Sequence, residues 1–448
     1  MSIFRAYDIR GIYGKDLTDD IMLKIGNAFR RFVGDSVIVG CDHRLSSPAL
    51  KDAFIRGATQ AGKNVIDISV VPRGASMFWA GKTGLNTCYI TASHLPKEWN
   101  GLKFVRSDGT SFTGNESMEI KRAVEHGDFY RADKPGSVAK EEIIGQYVNF
   151  LVGRIPRPGK PLKVLLDCGN GTAGMAAPEL FRKMGYYAEP LFGEPDGSFP
   201  NRESEITPEA LEKTLPESAN YDVTFAYDGD ADRLSMVDDK GRIVEPEIVA
   251  YIIMKELLKQ QQGPIVANVE CSKIIDKIAK EFGRDVIRSA VGYSFVIKCL
   301  HENKACFGIE KSMHFCIPSI FHFDDGIASS LFAAYAVSRL GEPLSEFVDR
   351  MPKFIQETRN FDCGDDVKFD VIKRVSEQSA KEYEKLSNLD GVRVQLDDGW
   401  VLVRASNTSP LIRMTVEADT AERFKELSEK FSSMVAQEIK NAEPTVDL

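Results

Sequence analysis

The chain has 448 residues, of which 43% are hydrophobic and 27% are charged, and its formal net charge is −9. This length predicts three or four domains of ordinary size. The negative charge argues against general nucleic-acid binding, and no apolar run approaches the roughly 18 residues that a membrane span needs. The N-terminal residues MSIFRAYDIRG lack the apolar core and cleavage site of a signal peptide, so we expect a cytoplasmic protein.

Eight cysteines are spread along the chain without a CxxC pair. Most of them lie in apolar strand or helix patterns. This placement favours buried free thiols over disulfides or zinc ligands, in agreement with a reducing compartment.

Three segments repeat one plan, in which a strand and a polar loop lead into a helix, a glycine and a second strand. They begin at SVIVGCDHR, PLKVLLDCGNG and PIVANVECS, and the glycines after their helices are Gly62, Gly185 and Gly283. Glycine is typical just past a helix end, where the backbone turns left-handed. The repeat predicts an α/β protein with three topologically similar α/β domains and mixed, largely parallel sheets.

The pattern changes from about residue 360. VRVQLDDGWVLVRAS predicts a hairpin around Asp397-Asp398-Gly399, LIRMTVEA predicts another strand, and AERFKELSEKFSSMVAQEI predicts a long helix. These elements indicate a smaller C-terminal α+β domain. With short linkers near 150–160 and 350–360, the predicted domains are 1–150, 151–248, 249–355 and 356–448.

The loop TASHLP follows the short apolar run CYI, which predicts a strand. Ser93 therefore lies where a strand ends, and His94, Asn100, Gly101 and Lys103 keep the loop after it polar. A serine hydroxyl is a poor nucleophile unless a base, a metal or a bound phosphate changes its chemistry. Taken alone, this Ser-His pair is also typical of an ordinary loop.

Gly169, Gly171 and Gly174 form a G-x-G-x-x-G pattern after a predicted strand, which resembles a dinucleotide-binding fingerprint. Such a site also needs an acid about 20 residues later, after the next strand. Glu189 comes early and lies inside that strand. A tight turn between strand and helix accounts better for these glycines.

The stretch DGDADR places three carboxylates at alternate positions after the predicted strand YDVTFAY. Ligands bind at the carboxyl ends of strands in open α/β sheets, and carboxylate oxygens suit Mg²⁺. An EF-hand calcium loop needs Gly at its sixth position and Glu at its twelfth, where this chain has Arg233 and Asp239. The cluster of Asp228, Asp230 and Asp232 therefore predicts a magnesium site, with a solvated acidic turn as the alternative.

Two later loops carry polar groups of mixed character. Glu310, Ser312 and His314 follow a short apolar strand and offer the donors and acceptors that a polyol needs. The stretch RASNT, which begins at Arg404, is predicted as a loop between strands that is rich in donors for a phosphate. Each of these loops could equally be a polar surface loop when it is considered by itself.

Together these segments resemble the α-D-phosphohexomutase superfamily, specifically its phosphomannomutase/phosphoglucomutase branch. The resemblance runs essentially from end to end and keeps the order of the motifs at residues 4–11 (FRAYDIRG), 91–94 (TASH), 100–103 (NGLK), 228–233 (DGDADR) and 404–408 (RASNT). It implies four domains arranged around a central cleft. The loop that holds Glu310, Ser312 and His314 corresponds to the family's sugar loop. It departs from the family pattern Glu-x-Ser-Gly-His, because Met313 replaces the glycine. This departure bears on sugar preference and loop geometry rather than on phosphoryl transfer. Leu95 and Ala290 also depart from the usual residues.

The resemblance implies roles for individual residues. Mg²⁺ would be held by the Asp triad and a phosphoserine oxygen of Ser93. The implied catalytic residues are Ser93, His94, Lys103, Arg10 and Arg233. The implied substrate-binding residues are Tyr7, Glu310, Ser312, His314, Arg404, Ser406, Asn407 and Thr408, and His314 could either bind the sugar or act as an acid and base.

The implied activity is the interconversion of hexose 1-phosphate and hexose 6-phosphate, with mannose and/or glucose as the sugar. It would proceed through hexose 1,6-bisphosphate, which also serves as the activator, in a monomer or homodimer that binds sugar phosphates and neither nucleic acid nor membrane. Alternatives are a phosphoglucosamine mutase or phosphopentomutase, a metal-dependent sugar phosphatase and a non-catalytic sugar-phosphate-binding protein. A requirement for the bisphosphate would separate a mutase from a phosphatase.

Overall fold

The computed structural model describes residues 3–4, 8–406 and 410–442, which form four β-sheets in succession along the chain. The elements of the first unit are β1 (Asp8–Ile12), α1 (Asp19–Ala28), a 3₁₀ helix (Phe29–Phe32), β2 (Ser36–Cys41), α2 (Ser47–Gln60), β3 (Asn64–Val70), α3 (Arg73–Thr83), β4 (Thr87–Ile90), β5 (Trp99–Val105), α4 (Gly114–Glu125), β6 (Val138–Lys140) and α5 (Ile144–Arg154). The strand order is β1-β5-β4-β2-β3-β6. Only β5 is antiparallel to its neighbours, β1 and β4.

The second unit is a five-stranded sheet with the order β11-β10-β9-β7-β8. Its elements are β7 (Lys163–Asp167), a 3₁₀ helix (Thr172–Met175), α6 (Ala177–Met184), β8 (Tyr187–Leu191), α7 (Thr214–Ser218), β9 (Val223–Tyr227), β10 (Leu234–Val237) and β11 (Ile243–Val244). Every residue of the apolar strand β9 is buried, as expected for a central strand covered on both faces.

The third unit has four strands in the order β13-β12-β14-β15. Its elements are α8 (Pro246–Leu257), β12 (Ile265–Asn268), α9 (Ile274–Glu281), β13 (Val286–Ser289), α10 (Tyr293–Asn303), β14 (Phe307–Ile309), β15 (Phe315–Cys316), α11 (Gly326–Val337) and α12 (Leu344–Asp349).

The fourth unit is an antiparallel sheet with the order β16-β20-β19-β18-β17 and two helices. Its elements are β16 (Ile355–Asp362), α13 (Lys368–Glu382), β17 (Leu386–Ser387), β18 (Val392–Gln395), β19 (Gly399–Ala405), β20 (Leu411–Ala418) and α14 (Ala421–Ala442). This arrangement confirms the predicted C-terminal α+β unit.

The predicted repeat is confirmed by three parallel strand pairs, which are β2–β3, β7–β8 and β12–β13. The glycines after the three intervening helices have positive φ angles, which are 82° at Gly62, 96° at Gly185 and 65° at Gly283. Left-handed backbone is inexpensive for glycine, so these residues let the chain leave each helix and return to the sheet.

One apolar core runs through the first three units, whereas the fourth has a core of its own. In the shared core, the rings of Tyr147 on α5 and Phe321 before α11 stack 6.2 Å apart. A shared core holds the carboxyl ends of β4, β9 and β14 in fixed relation to one another. Residues that follow these strands contact one another across the units, as Ser93 does with Asp228 and Arg233 with His314. Arg404 at the end of β19 contacts Glu270 of the third unit.

One expectation about the linkers is wrong. The predicted linker near 350–360 is largely occupied by β16, which pairs with β20 along its whole length. The sequence IQETRNFD of β16 is mostly exposed and polar, as an edge strand can be, so it lacks the apolar alternation that identifies a strand. The four domain ranges stay a prediction, and their three internal boundaries fall inside α5, α8 and β16.

All eight cysteines are free and seven of them are buried, as expected. Among the residues that the structure describes, no helix combines the length and the apolar character that a membrane span needs.

Candidate active site

The three aspartates of the DGDADR stretch follow β9 directly and are completely buried. The backbone at Ala231 has a φ of 62°, a left-handed turn that reverses the chain between Asp230 and Asp232. One oxygen from each carboxylate lies within 4.8 Å of the others. Among the described residues, Oδ1 of Asp230 and Oδ1 of Asp232 have no hydrogen-bond donor. Buried, undersatisfied carboxylate oxygens of this kind fit a hard divalent cation such as Mg²⁺.

Ser93 meets this triad from the first unit. Its Oγ donates a hydrogen bond of 3.0 Å to Oδ2 of Asp228, although the two residues lie 135 positions apart in the chain. Ser93 is 1% exposed and has a φ of 53°. Left-handed backbone is unusual for serine, and it turns the hydroxyl back toward the carboxylates.

The loop that holds Ser93 is fixed by a buried polar network that the sequence did not reveal. Thr91 Oγ1 accepts a hydrogen bond from the Ser93 amide at 2.8 Å and donates to Oδ2 of Asp42. Asp42 also pairs with the fully buried guanidinium of Arg44, which donates to the carbonyl oxygens of Ser93 and Leu95 at 2.7 Å. The only sequence signal for this network is a charged stretch, CDHR, directly after β2.

Lys103 supplies a fixed positive charge to the triad. Its Nζ lies 3.2 Å from Oδ2 of Asp230 and 2.8 Å from Oδ2 of Asp232. Burial disfavours the ammonium, but the two carboxylates outweigh burial and raise its pKa above the usual value. Lys103 is on β5 and not on the predicted polar loop, because Trp99 to Val105 pair with β1 and β4.

The ionisation of the triad is uneven. Burial raises the pKa of Asp228 to about 8, and repulsion from Asp232 and Asp230 adds to this effect. Burial also opposes ionisation of Asp232, but Lys103, His314 and Arg73 hold its pKa well below the usual range. One carboxyl group of the cluster therefore keeps its proton near neutral pH until further positive charge arrives.

Arg233 links the DGDADR stretch to the loop that holds His314. Its amide donates to Oδ1 of Asp228 at 3.1 Å, and its Nε donates to Nε2 of His314 at 3.1 Å. The other imidazole nitrogen, Nδ1, lies 2.7 Å from Oδ2 of Asp324. Burial lowers the pKa of His314, but Asp232 and Asp324 outweigh it and raise the pKa above the usual value. A tautomer with its proton on Nδ1 satisfies both contacts.

His94 and Arg10 lie beside this cluster. Burial lowers the pKa of His94 well below its usual value, and Arg233, Arg10 and Lys103 add to the effect. The His94 imidazole is therefore neutral at pH 7. Arg10 is on β1, where its Nε donates to Oδ2 of Asp8 at 2.7 Å.

The sugar loop is partly built into the third unit. The Oε1 atom of Glu310 accepts from the Gly292 amide at 2.8 Å and from Nδ2 of Asn268 at 3.1 Å, and burial raises the Glu310 pKa. Ser312 is half-buried. Met313 has a φ of 70°, so it keeps the left-handed backbone for which glycine is suited, and its side chain packs against the apolar core.

Arg404 lies at the end of β19, not in a loop as predicted, because β19 continues to Ala405. It is 4% exposed, and its Nε and Nη2 lie 2.9 and 2.8 Å from Oε1 of Glu270 in the third unit. Ser406 is buried, and its carbonyl oxygen accepts from Nζ of Lys368 at 2.7 Å. The predicted residues Tyr7, Asn407 and Thr408 lie outside the described residues.

The contacts bring Ser93, Lys103, the triad, Arg233 and His314 together, and they place Arg404 against another part of the third unit. Sequence reasoning missed Arg73, Asp324 and Glu270. Arg73 follows β3 and Glu270 follows β12, so each is a charged residue close to a strand's carboxyl end. That placement is the signal that could have identified both.

Comparisons with known proteins agree with the motifs. Family models for phosphoglucomutase/phosphomannomutase match in chain order, with alpha/beta/alpha domain I at residues 1–131, domain II at 145–241, domain III at 245–354 and the C-terminal domain at 365–433.

Similar proteins match over nearly their whole length. A "Probable phosphoglucosamine mutase" of Methanopyrus kandleri is 34% identical, with 96% of this chain and 97% of the relative covered. A "Phosphomannomutase/phosphoglucomutase" of Pseudomonas putida is 33% identical, with 97% and 95% covered. The crystal structure of a phosphoglucomutase/phosphomannomutase family protein from Burkholderia thailandensis superposes with a TM-score of 0.90 at 28% identity, covering 99% of this chain and 98% of that one.

The raised pKa of Asp228 predicts that metal binding releases a proton. A divalent ion must displace that proton, so the Mg²⁺ association constant should rise about tenfold per pH unit up to about pH 8 and then level off. Titration calorimetry in buffers of different ionisation enthalpy measures both the association constant and the number of protons released. Asp228→Asn should abolish the proton release, whereas Asp238→Asn, which alters a buried carboxylate outside the triad, should preserve it. A pH-independent association constant for the unaltered protein would contradict the prediction.

Proposed function

The chain belongs to the phosphoglucomutase/phosphomannomutase family, and we propose that it interconverts hexose 1-phosphate and hexose 6-phosphate with mannose and/or glucose as the sugar. The phosphate is carried by Ser93, and hexose 1,6-bisphosphate is the intermediate. The observation that carries the proposal is the hydrogen bond of 3.0 Å from the Ser93 hydroxyl to Asp228 of a fully buried carboxylate triad. A serine held against a candidate metal site is arranged for phosphoryl transfer.

The metal ligands in this proposal are Ser93, Asp228, Asp230 and Asp232. A bound Mg²⁺ would supply positive charge that offsets the developing charge on the transferring phosphoryl group. Lys103 already contacts two of the carboxylates, so it orients the triad and adds a fixed cation. Arg233 has its guanidinium between the triad and His314, where it can bind phosphoryl oxygens.

Proton transfer falls to groups around the sugar hydroxyl. His314 faces Arg233 with Nε2, the nitrogen that carries a lone pair when the proton is on Nδ1, which lies 2.7 Å from Oδ2 of Asp324. When Arg233 turns to a phosphoryl oxygen, that lone pair becomes free to take the proton of the attacking hydroxyl. Arg10 and the neutral His94 lie beside the same space and bind the reacting groups.

The sugar and the second phosphate are held further along the cleft. Glu310 and Ser312 bind sugar hydroxyls, which must be recognised in both orientations of the intermediate. The phosphate that is not reacting is bound by Arg404, Ser406, Asn407, Thr408 and Tyr7. After the first transfer the bisphosphate turns round, and the opposite phosphate returns to Ser93. The cleft excludes water, because hydrolysis would otherwise consume the phosphoserine.

A second candidate function is a phosphoglucosamine mutase. Its support is the name of the Methanopyrus kandleri relative and of further relatives from Pyrococcus horikoshii and Thermococcus gammatolerans, each 32% identical. The motifs around Ser93 and the triad serve both functions equally. The two differ only in whether the sugar carries a hydroxyl or an amino group.

The proposal predicts that Ser93 carries the transferable phosphate. Intact-mass analysis after incubation with a hexose 1,6-bisphosphate should show one added phosphate, and peptide mapping should place it on Ser93. Ser93→Ala should lack it, whereas Ser312→Ala, which removes another predicted serine hydroxyl of the site, should retain it. Phosphate on any other residue would refute the assignment.

A further prediction concerns the distal phosphate grip. Arg404→Ala should raise KM about tenfold or more and also lower turnover, because remote binding energy positions the reacting hydroxyl. Glu270→Gln should lower KM, because substrate phosphate would no longer compete with a carboxylate for the guanidinium. Phosphorylation of Ser93 should survive both changes. Unchanged kinetics for a folded Arg404→Ala protein would show that the last unit is only a structural lid.

Side-by-side turnover of mannose, glucose, glucosamine and ribose phosphates tests the sugar. We expect mannose and/or glucose phosphate to be preferred, and Met313→Gly to alter KM and the order of preference without altering phosphorylation of Ser93. The reason is that Met313 occupies a left-handed position in the sugar loop and glycine relieves its strain. A clear preference for glucosamine phosphate would instead support the second candidate.

A further inference from the structure

A buried arginine that the proposed reaction does not use lies against the triad. Arg73 begins α3, and its backbone amide donates to the carbonyl oxygen of Asp230 at 3.0 Å. The side chain is completely buried, which is rare for arginine. Its guanidinium lies over the ring of Tyr293, 4.7 Å from the centroid. The first unit therefore places a second permanent cation, besides Lys103, at the carboxylates of the second unit.

The guanidinium bridges two carboxylates from different units. Nη1 of Arg73 lies 3.1 Å from Oδ2 of Asp232 and 2.9 Å from Oδ2 of Asp324. Within the described part of the chain, none of the three guanidinium nitrogens has an aligned hydrogen bond. Electrostatic attraction, rather than directed hydrogen bonding, thus dominates these contacts. Another cation at the same place would supply the same attraction.

The carboxylates that Arg73 bridges belong to a second group with the geometry of metal ligands. Ligand atoms of Asp232, His314 and Asp324 all lie within 4.8 Å of one another, and all three residues are buried. Asp232 is shared with the triad. Among the described residues, both carboxylate oxygens of Asp324 lack a hydrogen-bond donor, although one of them is in ion-pair contact with Arg73 and His314. Two adjoining groups therefore have the spacing of cation ligands, and a guanidinium contacts the second.

We propose that Arg73 is the permanent cation of this second group, and that it keeps the site to one divalent metal ion. Buried carboxylates require compensating positive charge, and a guanidinium fixed at the start of a helix supplies it without dissociating. Its charge repels a divalent ion from Asp232, His314 and Asp324. Arg73 thereby leaves Asp232 available to a metal ion at the triad, and Asp324 keeps its contact with Nδ1 of His314.

Arg73 is in this sense a positioning residue, and the inference rests on the metal role that the proposed function gives the triad. The probe is Mn²⁺ alone, because it can be counted by calorimetry and observed by electron paramagnetic resonance without any turnover. The unaltered protein should bind one ion. Arg73→Met, which removes the charge and keeps a long apolar side chain, should bind two.

Matched variants separate the role of Arg73 from a general loss of packing. Arg202→Met removes another buried guanidinium, one paired with Asp167 away from the second group, and should still bind one ion. Arg73→Lys keeps a charge at the position and should also bind one. Adding Asp324→Asn to Arg73→Met should abolish the second ion. A folded Arg73→Met protein that binds one ion with unchanged affinity would overturn the proposal.

A further variant keeps the test decisive if Arg73→Met does not fold. With Asp324→Asn in the otherwise unaltered chain, Asp232 is the one carboxylate left to pair with Arg73. The guanidinium then competes more strongly with a metal ion for Asp232, so Mn²⁺ binding at the triad should weaken about tenfold. Unchanged affinity would overturn the proposal. If the unaltered protein binds no ion, the metal role of the triad fails. In that case, one ion bound by Arg73→Met and lost when Asp324→Asn is added would still support the role of Arg73.

Discussion

The burial of four carboxylates beside two fixed cations, Lys103 and Arg73, is the constraint on which the rest of this structure depends. Asp228, Asp230 and Asp232 are completely buried and Asp324 is 2% exposed. Removing a single partner from such a buried ion pair costs several kcal/mol, because the remaining charge is left without compensation. The acids come from the second and third units, while Lys103 and Arg73 come from the first. Charge balance at the cleft therefore requires these units to be docked together.

Three of the eight described residues other than glycine that have positive φ angles lie where these units dock. Ser93, Ala231 and Met313 have φ angles of 53°, 62° and 70°. Left-handed backbone costs about 1–2 kcal/mol at a residue other than glycine, and it persists only where surrounding contacts determine it. Here the contacts are specific, because a side chain on Gly229 would approach the Ser93 carbonyl oxygen to 2.7 Å. The same close packing that strains Ser93 brings its hydroxyl to Asp228.

Local pattern was sufficient to predict the repeated strand–helix–strand units, because apolar periodicity and a terminal glycine are read within one segment. The same holds for the position of Ser93 and of the triad at strand ends. Local pattern was insufficient for β16, because this edge strand is polar and lacks apolar alternation. It was also insufficient for Lys103, which lies on strand β5 and not in a loop. Arg73 and Glu270 acquire their importance only through partners more than a hundred residues away. Asp324 contacts His314, ten residues before it, and also the distant Arg73. Periodicity cannot reveal such long-range contacts.

The charge balance at the triad differs from that at the Arg404–Glu270 pair, and the proposed reaction accounts for the difference. At the reacting end, excess buried carboxylate requires added positive charge. At the distal end, Arg404 is already neutralised by Glu270, with Arg413 nearby. In the proposed reaction an incoming phosphate would have to replace that carboxylate, so the net gain in binding would be smaller than for a free guanidinium. A bisphosphate has to leave both grips in order to turn round, so binding that is too strong at the distal end would trap the intermediate. A carboxylate that competes for Arg404 weakens that grip while keeping its geometry for phosphate.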